Sequence, residues 1–188
     1  MTFDPDDPVG SVFAPIIGLP TWNVSRGYAS FLTFEFGVPS LRVREAYASP
    51  SANSRVRARA ERRVVTVRGA WHLWIHSCDW KVLQAGEVIG HSEGEDETLE
   101  RAAAALDGQI LTGVVVEPAN GASRFTFDLG GVLETTRWAD EEVGDGEQWL
   151  LFTPSEEVLS IRADGHYSWH PGSTPPDQEI WRPLPELV

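Results

Sequence analysis

The chain is short of cysteine, of lysine and of long apolar runs, and each shortage excludes something. A single cysteine, Cys78, among 188 residues excludes an internal disulfide bond and fits a reducing compartment. No apolar run approaches the roughly 20 residues that a membrane-spanning helix needs. The first ten residues are acidic and lack the basic and apolar regions of a secretory signal. Together these absences predict a cytoplasmic protein that does not bind membranes.

Lysine is almost completely replaced by arginine, with fourteen arginines and one lysine. This bias suggests a bacterial genome rich in G and C. A local basic cluster could contact phosphate groups, but we favour a solvated segment because no aromatic residue is interleaved with it. The cluster consists of Arg55, Arg57, Arg59, Arg62 and Arg63.

Negative charge is present in excess, with a formal net charge of −13. Such a charge repels nucleic acid and anionic lipid surfaces, so we predict neither as a partner, and it favours a basic protein. The length is enough for one domain with a real core. We therefore predict a single domain over residues 1–188, ending in a proline-rich extension over 171–188.

Strand patterns dominate the sequence. Apolar and polar residues alternate in FLTFEFG (31–37) and again in LRVRE (41–45), which predicts a hairpin across the turn GVPS. The predicted register pairs Phe36 with Leu41, Glu35 with Arg42 and Phe34 with Val43. The following segment, 47–62, has no apolar face and is interpreted as a mobile loop or a solvated edge extension.

One helix is expected, over residues 96 to about 107. Its apolar stripe is narrow, its first turn is acidic and Gly108 follows where a C-terminal cap belongs. The stripe consists of Leu99, Ala102, Ala103 and Leu106.

An internal repeat is visible. LTFEFG (32–37) resembles FTFDLG (125–130), and WHLW (71–74) resembles WLLF (149–152), in the same order. We interpret this as two similar halves, about 18–90 and 108–170, although two ordinary hairpins in one sheet would give the same pattern. The fold class predicted is β-rich α+β: two similar antiparallel units forming a sandwich or partly closed barrel, with one short helix.

The stretch WHLWIHSCDW (71–80) is the strongest candidate for chemistry. As one strand it would place Trp71, Leu73 and Ile75 on a core face and Trp74 and Trp80 on the other. On a strand the spacing His72-x-x-x-His76 separates the two rings by about 13 Å, too far for one metal ion. The metal candidates that remain are His76, Cys78, His166 and His170. We predict no metal, no cofactor and no catalytic residue, and we expect a protein that is not an enzyme.

Carboxylates form the other constellation. A three-residue loop in the second hairpin would place Asp128 opposite Glu134, where the pair could bind a cation, act as acid and base, or splay into solvent. Two acidic runs, 93–100 and 141–147, suggest a surface for a basic partner, with Trp138 and Trp22 as aromatic anchors. The residues predicted to bind a partner are Glu93, Glu95, Asp96, Glu97, Trp138, Glu141, Glu142, Asp145 and Glu147.

A set of motifs spread over most of residues 18–170 resembles a family of uncharacterised bacterial proteins found as stand-alone chains. The motifs are GLPTWNVSRGYASFLTFEFG, RGAWHLWIHSCDW, LDGQ, FTFDLGG and EQWLL. The resemblance implies a bacterial cytosolic protein and carries over no catalytic residue, because the shared glycine, tryptophan, phenylalanine and leucine residues look structural.

Three classes of function follow. The first, which we favour, is a non-enzymatic interaction protein, for example an immunity-type neutraliser of a basic toxin or enzyme; an exposed acidic patch rimmed by aromatic residues would support it. The second is a small-ligand-binding β-barrel with a pocket lined by the Trp74 and Trp80 face. The third is a metal-dependent or cysteine enzyme.

Overall fold

The structure of the protein, a computed structural model, describes residues 2–138 and 146–186. Its helices are α1 (Pro8–Phe13), α2 (Ser54–Ala60) and α3 (Asp96–Leu106), with a 3₁₀ turn at Pro176–Gln178. Within the described ranges no helix is long and apolar enough to span a membrane.

Most strands belong to two large antiparallel sheets. The seven-stranded sheet has the order β1 (Thr21–Arg26), β2 (Leu32–Phe36), β5 (Trp71–Ile75), β11 (Glu147–Phe152), β12 (Glu157–Arg162), β13 (His166–Pro171) and β14 (Arg182–Pro183). The five-stranded sheet has the order β7 (Glu87–His91), β6 (Asp79–Gln84), β10 (Gly131–Thr136), β9 (Ser123–Phe127) and β8 (Leu111–Val116). A separate two-stranded sheet pairs β3 (Ser40–Arg44) with β4 (Val64–Arg68).

The two large sheets pack face to face as a sandwich, which confirms the predicted β-rich α+β class; they do not close into a barrel. Aromatic rings join the sheets: Phe34 of β2 stacks on Phe127 of β9 at 6.5 Å between ring centroids. Phe125 of β9 meets Trp149 of β11 edge to face at 5.7 Å. Such contacts bury the largest apolar areas in the molecule and fix how the sheets face each other.

The predicted helix is present as α3, and its apolar stripe is the one expected from the sequence. It packs against β1 and β7. A Cβ atom placed on Gly90 of β7 would lie 2.7 Å from the Cβ of Ala102, so the small side chains on both elements permit the close approach. Helix α1 was not predicted from the sequence; Asp7 caps it by accepting a hydrogen bond from the amide of Gly10, and Pro8 occupies the first turn.

The predicted first hairpin is wrong. β2 pairs with β1 and β5, so Phe34 lies opposite Leu73 and Phe36 opposite Trp71. β3 pairs instead with β4, with Leu41 opposite Val67. In this position Phe34 and Phe36 face the other large sheet and are completely buried, whereas Leu41 of β3 is exposed.

The segment 47–62 is also more ordered than expected, because it contains α2. Asn53 caps this helix by accepting a hydrogen bond from the amide of Arg55. Arg44 holds the end of the helix by donating to the carbonyl of Arg59 at 2.8 Å, and its guanidinium lies over the ring of Tyr47. The basic cluster is therefore carried on and beside a short helix, and its arginine side chains are exposed.

The predicted register of the second hairpin is wrong as well. Leu133 lies opposite Phe125 rather than Leu129, and Glu134 lies opposite Arg124 rather than Asp128. Glu134 forms ion pairs with Arg124 and with Lys81 of β6, the latter at 2.8 Å. Asp128 accepts a hydrogen bond from the amide of Ile110 at 2.8 Å, so it closes the loop and does not face Glu134.

Strands from both predicted halves contribute to both sheets, and reciprocal hydrogen bonds join the halves. The amide of Gly18 donates to the carbonyl of Leu111, and the amide of Gly108 donates to the carbonyl of Thr21. The two tryptophan motifs lie on β5 and β11, which are antiparallel neighbours in one sheet, with Trp149 opposite Ile75. The boundaries 18–90 and 108–170 stay a prediction.

The proline-rich extension crosses back to the seven-stranded sheet. Its short strand β14 pairs with β13, with Arg182 opposite Tyr167. The guanidinium of Arg162 lies 4.8 Å from the ring centre of Trp181, so this tryptophan fixes the extension on the body.

Candidate functional site

The stretch 71–80 is two strands joined by a sharp turn. Trp71, Leu73 and Ile75 face the core, as predicted. The chain then turns at Ser77, which has a φ of +45°, and continues in the other sheet as β6. The turn places Cys78 and Trp80 in the core, so they do not share a face with Trp74.

This turn removes the predicted small-ligand pocket. Trp74 lies in β5, and its ring packs against those of Phe31 and His76. Trp80 lies in β6, is almost fully buried and donates its indole N–H to the carbonyl of Ser30 at 2.7 Å. Because Trp80 is buried in the core while Trp74 is half-buried, the two rings do not form the shared strand face on which the predicted pocket depended.

Cys78 and His76 are packing residues at this turn. The thiol donates to the carbonyl of Gln148 at 3.4 Å, and burial, followed by the charge of Asp79, raises the pKa of Cys78 far above that of a reactive thiol. Burial lowers the pKa of His76 to about 4, so the ring is neutral at pH 7. The thiol therefore stays protonated at neutral pH, and an imidazole with so low a pKa is too weak a base to deprotonate it.

The other candidate histidines have separate carboxylate partners. His166 Nδ1 lies 3.2 Å from Asp164 Oδ1, and His170 Nε2 lies 3.6 Å from Glu179 Oε1. Over the part of the chain that the structure describes, no three histidine, cysteine or acidic side chains come together as metal ligands would.

A carboxylate whose burial the sequence did not indicate lies on the outer face of the seven-stranded sheet. Glu35 accepts hydrogen bonds from Arg68 Nη1 at 2.8 Å and from the amide of Gly69 at 2.9 Å, and its Oε1 lies 3.1 Å from His72 Nδ1. Burial alone would raise the pKa of Glu35, but the hydrogen bond and charge of His72, with the bonds from Gly69 and Arg68, outweigh it and lower that pKa. The predicted partner, Arg42, plays no part in this arrangement.

Glu147 is a second carboxylate whose surroundings differ from the prediction. It is half-buried, and burial, followed by the charge of Glu179, raises its pKa, while the nearby Ser160 hydroxyl and the charges of His170 and Arg162 act in the opposite direction. Glu147 is therefore less exposed than a fully solvated acidic run would have it, and its part in a partner-binding surface stays a prediction.

The acidic cleft is a shallow depression of about 260 Å³ on the outer face of the five-stranded sheet. Its walls come from β6, β7 and β10 and from the turn after β7. It is lined by Asp79, Trp80, Lys81, His91, Ser92, Glu93, Glu134 and Thr136.

The floor of the acidic cleft is fixed by ion pairs and hydrogen bonds. Lys81 and Glu134 pair across neighbouring strands, and Ser92 Oγ donates to Asp79 Oδ1 at 3.1 Å. Because Glu134 is already neutralised by Lys81 and Arg124, the uncompensated charge lies at the rim, on Glu93.

The acidic cleft brings two predicted binding segments together. Glu93 is exposed at one rim and leads into the first turn of α3. Thr136 forms the other rim, two residues before Trp138, which is 37% exposed. The acidic turn therefore borders the depression at one rim, and the chain segment that leads to Trp138 leaves from the other.

The remaining predicted partner residues divide into two groups. Glu95, Asp96 and Glu97 are exposed beside the acidic cleft, and Asp96 also pairs with Arg26 at 2.6 Å. Glu141, Glu142 and Asp145 lie outside the described residues. The second predicted anchor, Trp22, is half-buried, donates its indole N–H to the carbonyl of Gly37 at 3.0 Å and does not line the cleft.

The fold and this site together define a class: a two-sheet β-sandwich with a small acidic cleft on its five-stranded face. No protein-family model, no curated protein sequence and no solved structure matches the chain. The family resemblance drawn from the sequence motifs therefore stays a prediction, and function has to be argued from the residues themselves.

Proposed function

We propose that the protein is a non-enzymatic binding protein that uses the rim of the acidic cleft to bind a basic protein. The observation that carries the proposal is that Glu93 and Thr136 line one depression, which places the acidic turn beside the segment that leads to Trp138. A basic side chain entering the cleft would meet exposed carboxylates at the rim and an aromatic ring nearby, the combination that interface centres favour.

The charge of the chain supports the same proposal. A net charge of −13 draws in a cationic partner at long range and speeds encounter. Neutralisation of a basic toxin or enzyme in the bacterial cytosol is the instance that this charge fits best, because an acidic protein can occupy a cleft that normally receives phosphate groups.

The alternatives have weaker support. The small-ligand proposal loses the tryptophan pocket on which it depended, since Trp74 and Trp80 lie in different sheets. The cysteine-enzyme proposal depends on Cys78, whose buried thiol is held in its protonated form.

The test is partner capture with a charge-reversed variant. Glu93→Lys, Glu95→Lys and Glu97→Lys change three exposed carboxylates beside the acidic cleft and leave the Asp96–Arg26 ion pair intact. Tagged wild-type and variant proteins are used to capture proteins from a lysate of the source organism, and captured proteins are identified by mass spectrometry. We expect a basic protein that wild type retains, that salt elutes and that the variant loses.

A matched control separates location from total charge. Glu117→Lys, Asp177→Lys and Glu186→Lys change the net charge by the same amount at exposed positions away from the acidic cleft. With purified partner, the cleft variant should slow association much more than the control does, with little change in dissociation. Equal capture by the cleft variant and wild type, or no captured protein at all, would contradict the proposal.

A further inference from the structure

Residues 38–68 form an arm that leaves the seven-stranded sheet. β2 and β5 pair up to Phe36 and Trp71, and the same two chain segments pair again as β3 and β4 from Ser40 and Arg68 onward. The arm is thus a continuation of one hairpin past the end of the sheet, with α2 at its tip.

The root and the tip of the arm are both held in place. At the root, Arg68 and the amide of Gly69 bond to the buried carboxylate of Glu35. At the tip, Arg57 donates to the carbonyls of Ser51 and Ala52 at 2.8 Å. We call the residues outside 38–68 the body. The hydrogen bonds at the root and at the tip order the arm, but they do not pack its strands against the body.

One face of the arm is apolar and uncovered. Leu41 and Val67 lie opposite each other, as do Val43 and Val65. Their exposed fractions are 71%, 49%, 50% and 53%, respectively. An isolated two-stranded ribbon is marginally stable in water, so an apolar face of this kind is expected to be covered by another surface.

The arm and the body carry opposite charge. The arm contains eight of the fourteen arginines and only two carboxylates, Glu45 and Glu61, a net charge of +6. Since the whole chain carries −13, the body carries −19. The arms of two copies of the chain would therefore repel each other, whereas the arm of one copy and the body of another would attract each other.

We propose that the arm docks on the acidic body of a second copy of this chain, and that each copy covers the other's arm in a two-fold dimer. Charge complementarity selects this occupant, because the −19 body would be repelled by nucleic acid or by an anionic membrane approaching the arm. In a dimer with two-fold symmetry, the same arm–body contact occurs twice, so the apolar face of each arm is covered. This inference goes beyond the proposed binding of a basic partner and does not depend on it.

The first experiment is sedimentation velocity of the full chain over a wide concentration range, at low and high salt. We expect a reversible dimer whose dissociation constant rises with salt. The variant Leu41→Thr, Val43→Thr, Val65→Thr, Val67→Thr places a residue of high strand propensity at all four positions and reduces their apolar surface, and we expect its dissociation constant to rise at least about tenfold. The control Val88→Thr, Val115→Thr changes two exposed valines of the five-stranded sheet and should dimerise as wild type does.

A second variant keeps the test informative if the threonine variant does not fold. Arg55→Glu, Arg59→Glu and Arg62→Glu reverse exposed charges of the arm and leave its apolar face intact. We expect this variant to be monomeric where wild type is dimeric. Hydrogen exchange should show protection of residues 40–44 and 64–68 that increases with protein concentration.

Several results would overturn the proposal. They are a wild type that stays monomeric at every concentration, a dimer that neither arm variant weakens, a dimer that salt does not weaken, and concentration-dependent protection that lies outside the arm. Binding of the monomeric protein to anionic vesicles or to DNA through the arm would also overturn it, because the arm would then have a different occupant.

Discussion

β2 and β3 follow each other in the chain and have the same alternating pattern, yet they lie in opposite environments. Phe34 and Phe36 of β2 are completely buried. Leu41 and Val43 of β3, by contrast, are 71% and 50% exposed. The polar faces also differ, since β2 carries Thr33 and Glu35 where β3 carries two arginines. Alternation therefore specifies a strand, but the size of the apolar side chains and the charge on the other face decide whether that strand enters the core.

The largest expected difference between β2 and β3 is in the free energy of unfolding that is lost when an apolar side chain is truncated. Phe34→Ala should lower the free energy of unfolding by about 3–5 kcal/mol, because it leaves a cavity between the sheets. Leu41→Ala, on the arm, should change it by less than about 0.5 kcal/mol in the monomer. Chemical denaturation at low protein concentration measures both. Similar losses for the two variants would mean that the arm is covered in the monomer.

Next in size is the joint between the regions, at Glu35. Glu35→Gln removes a buried charge and leaves Arg68 and His72 without their partner, and we expect a loss of about 2–3 kcal/mol at neutral pH, reduced by the partial exposure of Arg68.

The pH dependence gives a second readout for Glu35. Because the pKa of this carboxyl is lowered in the folded protein, its contribution is present above the ordinary value of 4.5 and is lost as the pH falls through the lowered value. The variant should therefore lose less stability in acid than wild type does. Parallel pH profiles would contradict the assigned ion pair.

A smaller effect is expected at Gly69, where the arm meets the sheet. A Cβ atom there would lie 2.5 Å from the carbonyl oxygen of Phe36 and 2.8 Å from that of Trp71, so Gly69→Ala should cost about 1–3 kcal/mol. Gly27→Ala is the control, since its Cβ would meet nothing closer than 3.4 Å. Thermal melting measures both variants, and a Gly69→Ala protein as stable as the control would show that the joint can widen.

The smallest effect is expected at Glu147, and its sign is opposite to that at Glu35. The pKa of Glu147 is raised in the folded protein, so its ionisation opposes folding as the pH rises through that raised value. Glu147→Gln should therefore remove this part of the pH dependence and stabilise the protein slightly at neutral pH. A destabilised variant would indicate that the carboxylate is held by more favourable contacts than burial and Glu179 suggest.

The sequence predicts the parts of this fold that depend on local periodicity. The stripe of α3 and the core face of β5 follow from spacing alone. The pairing of β2 with β5 could not be predicted in this way, because the partner lies beyond a long excursion and a nearer strand offers a plausible match. The turn at Ser77 has no glycine or proline to signal it, so a single strand seemed to continue to Trp80.

The sequence predicts less of the candidate site than of the fold, again because some of the contacts join residues that are distant in the chain. The exposed carboxylates next to Glu93 follow from a run of like charge, which is local. The surroundings of Glu147 depend on Glu179 and His170, which the proline-rich extension and β13 bring near it from far along the chain. Burial of a charged residue by distant segments leaves no mark in the local sequence.

The two ends of the arm lie side by side: a Cβ atom on Gly37 would be only 3.3 Å from the Cβ of Ala70. A short turn could therefore join β2 to β5 directly, and the sandwich would keep its strand order. In evolutionary terms the arm has the form of an insertion into a complete domain. Substitutions on the exposed face of the arm leave the packing between the two large sheets unchanged, so the arm can change with the surface that it binds while the sandwich keeps its core.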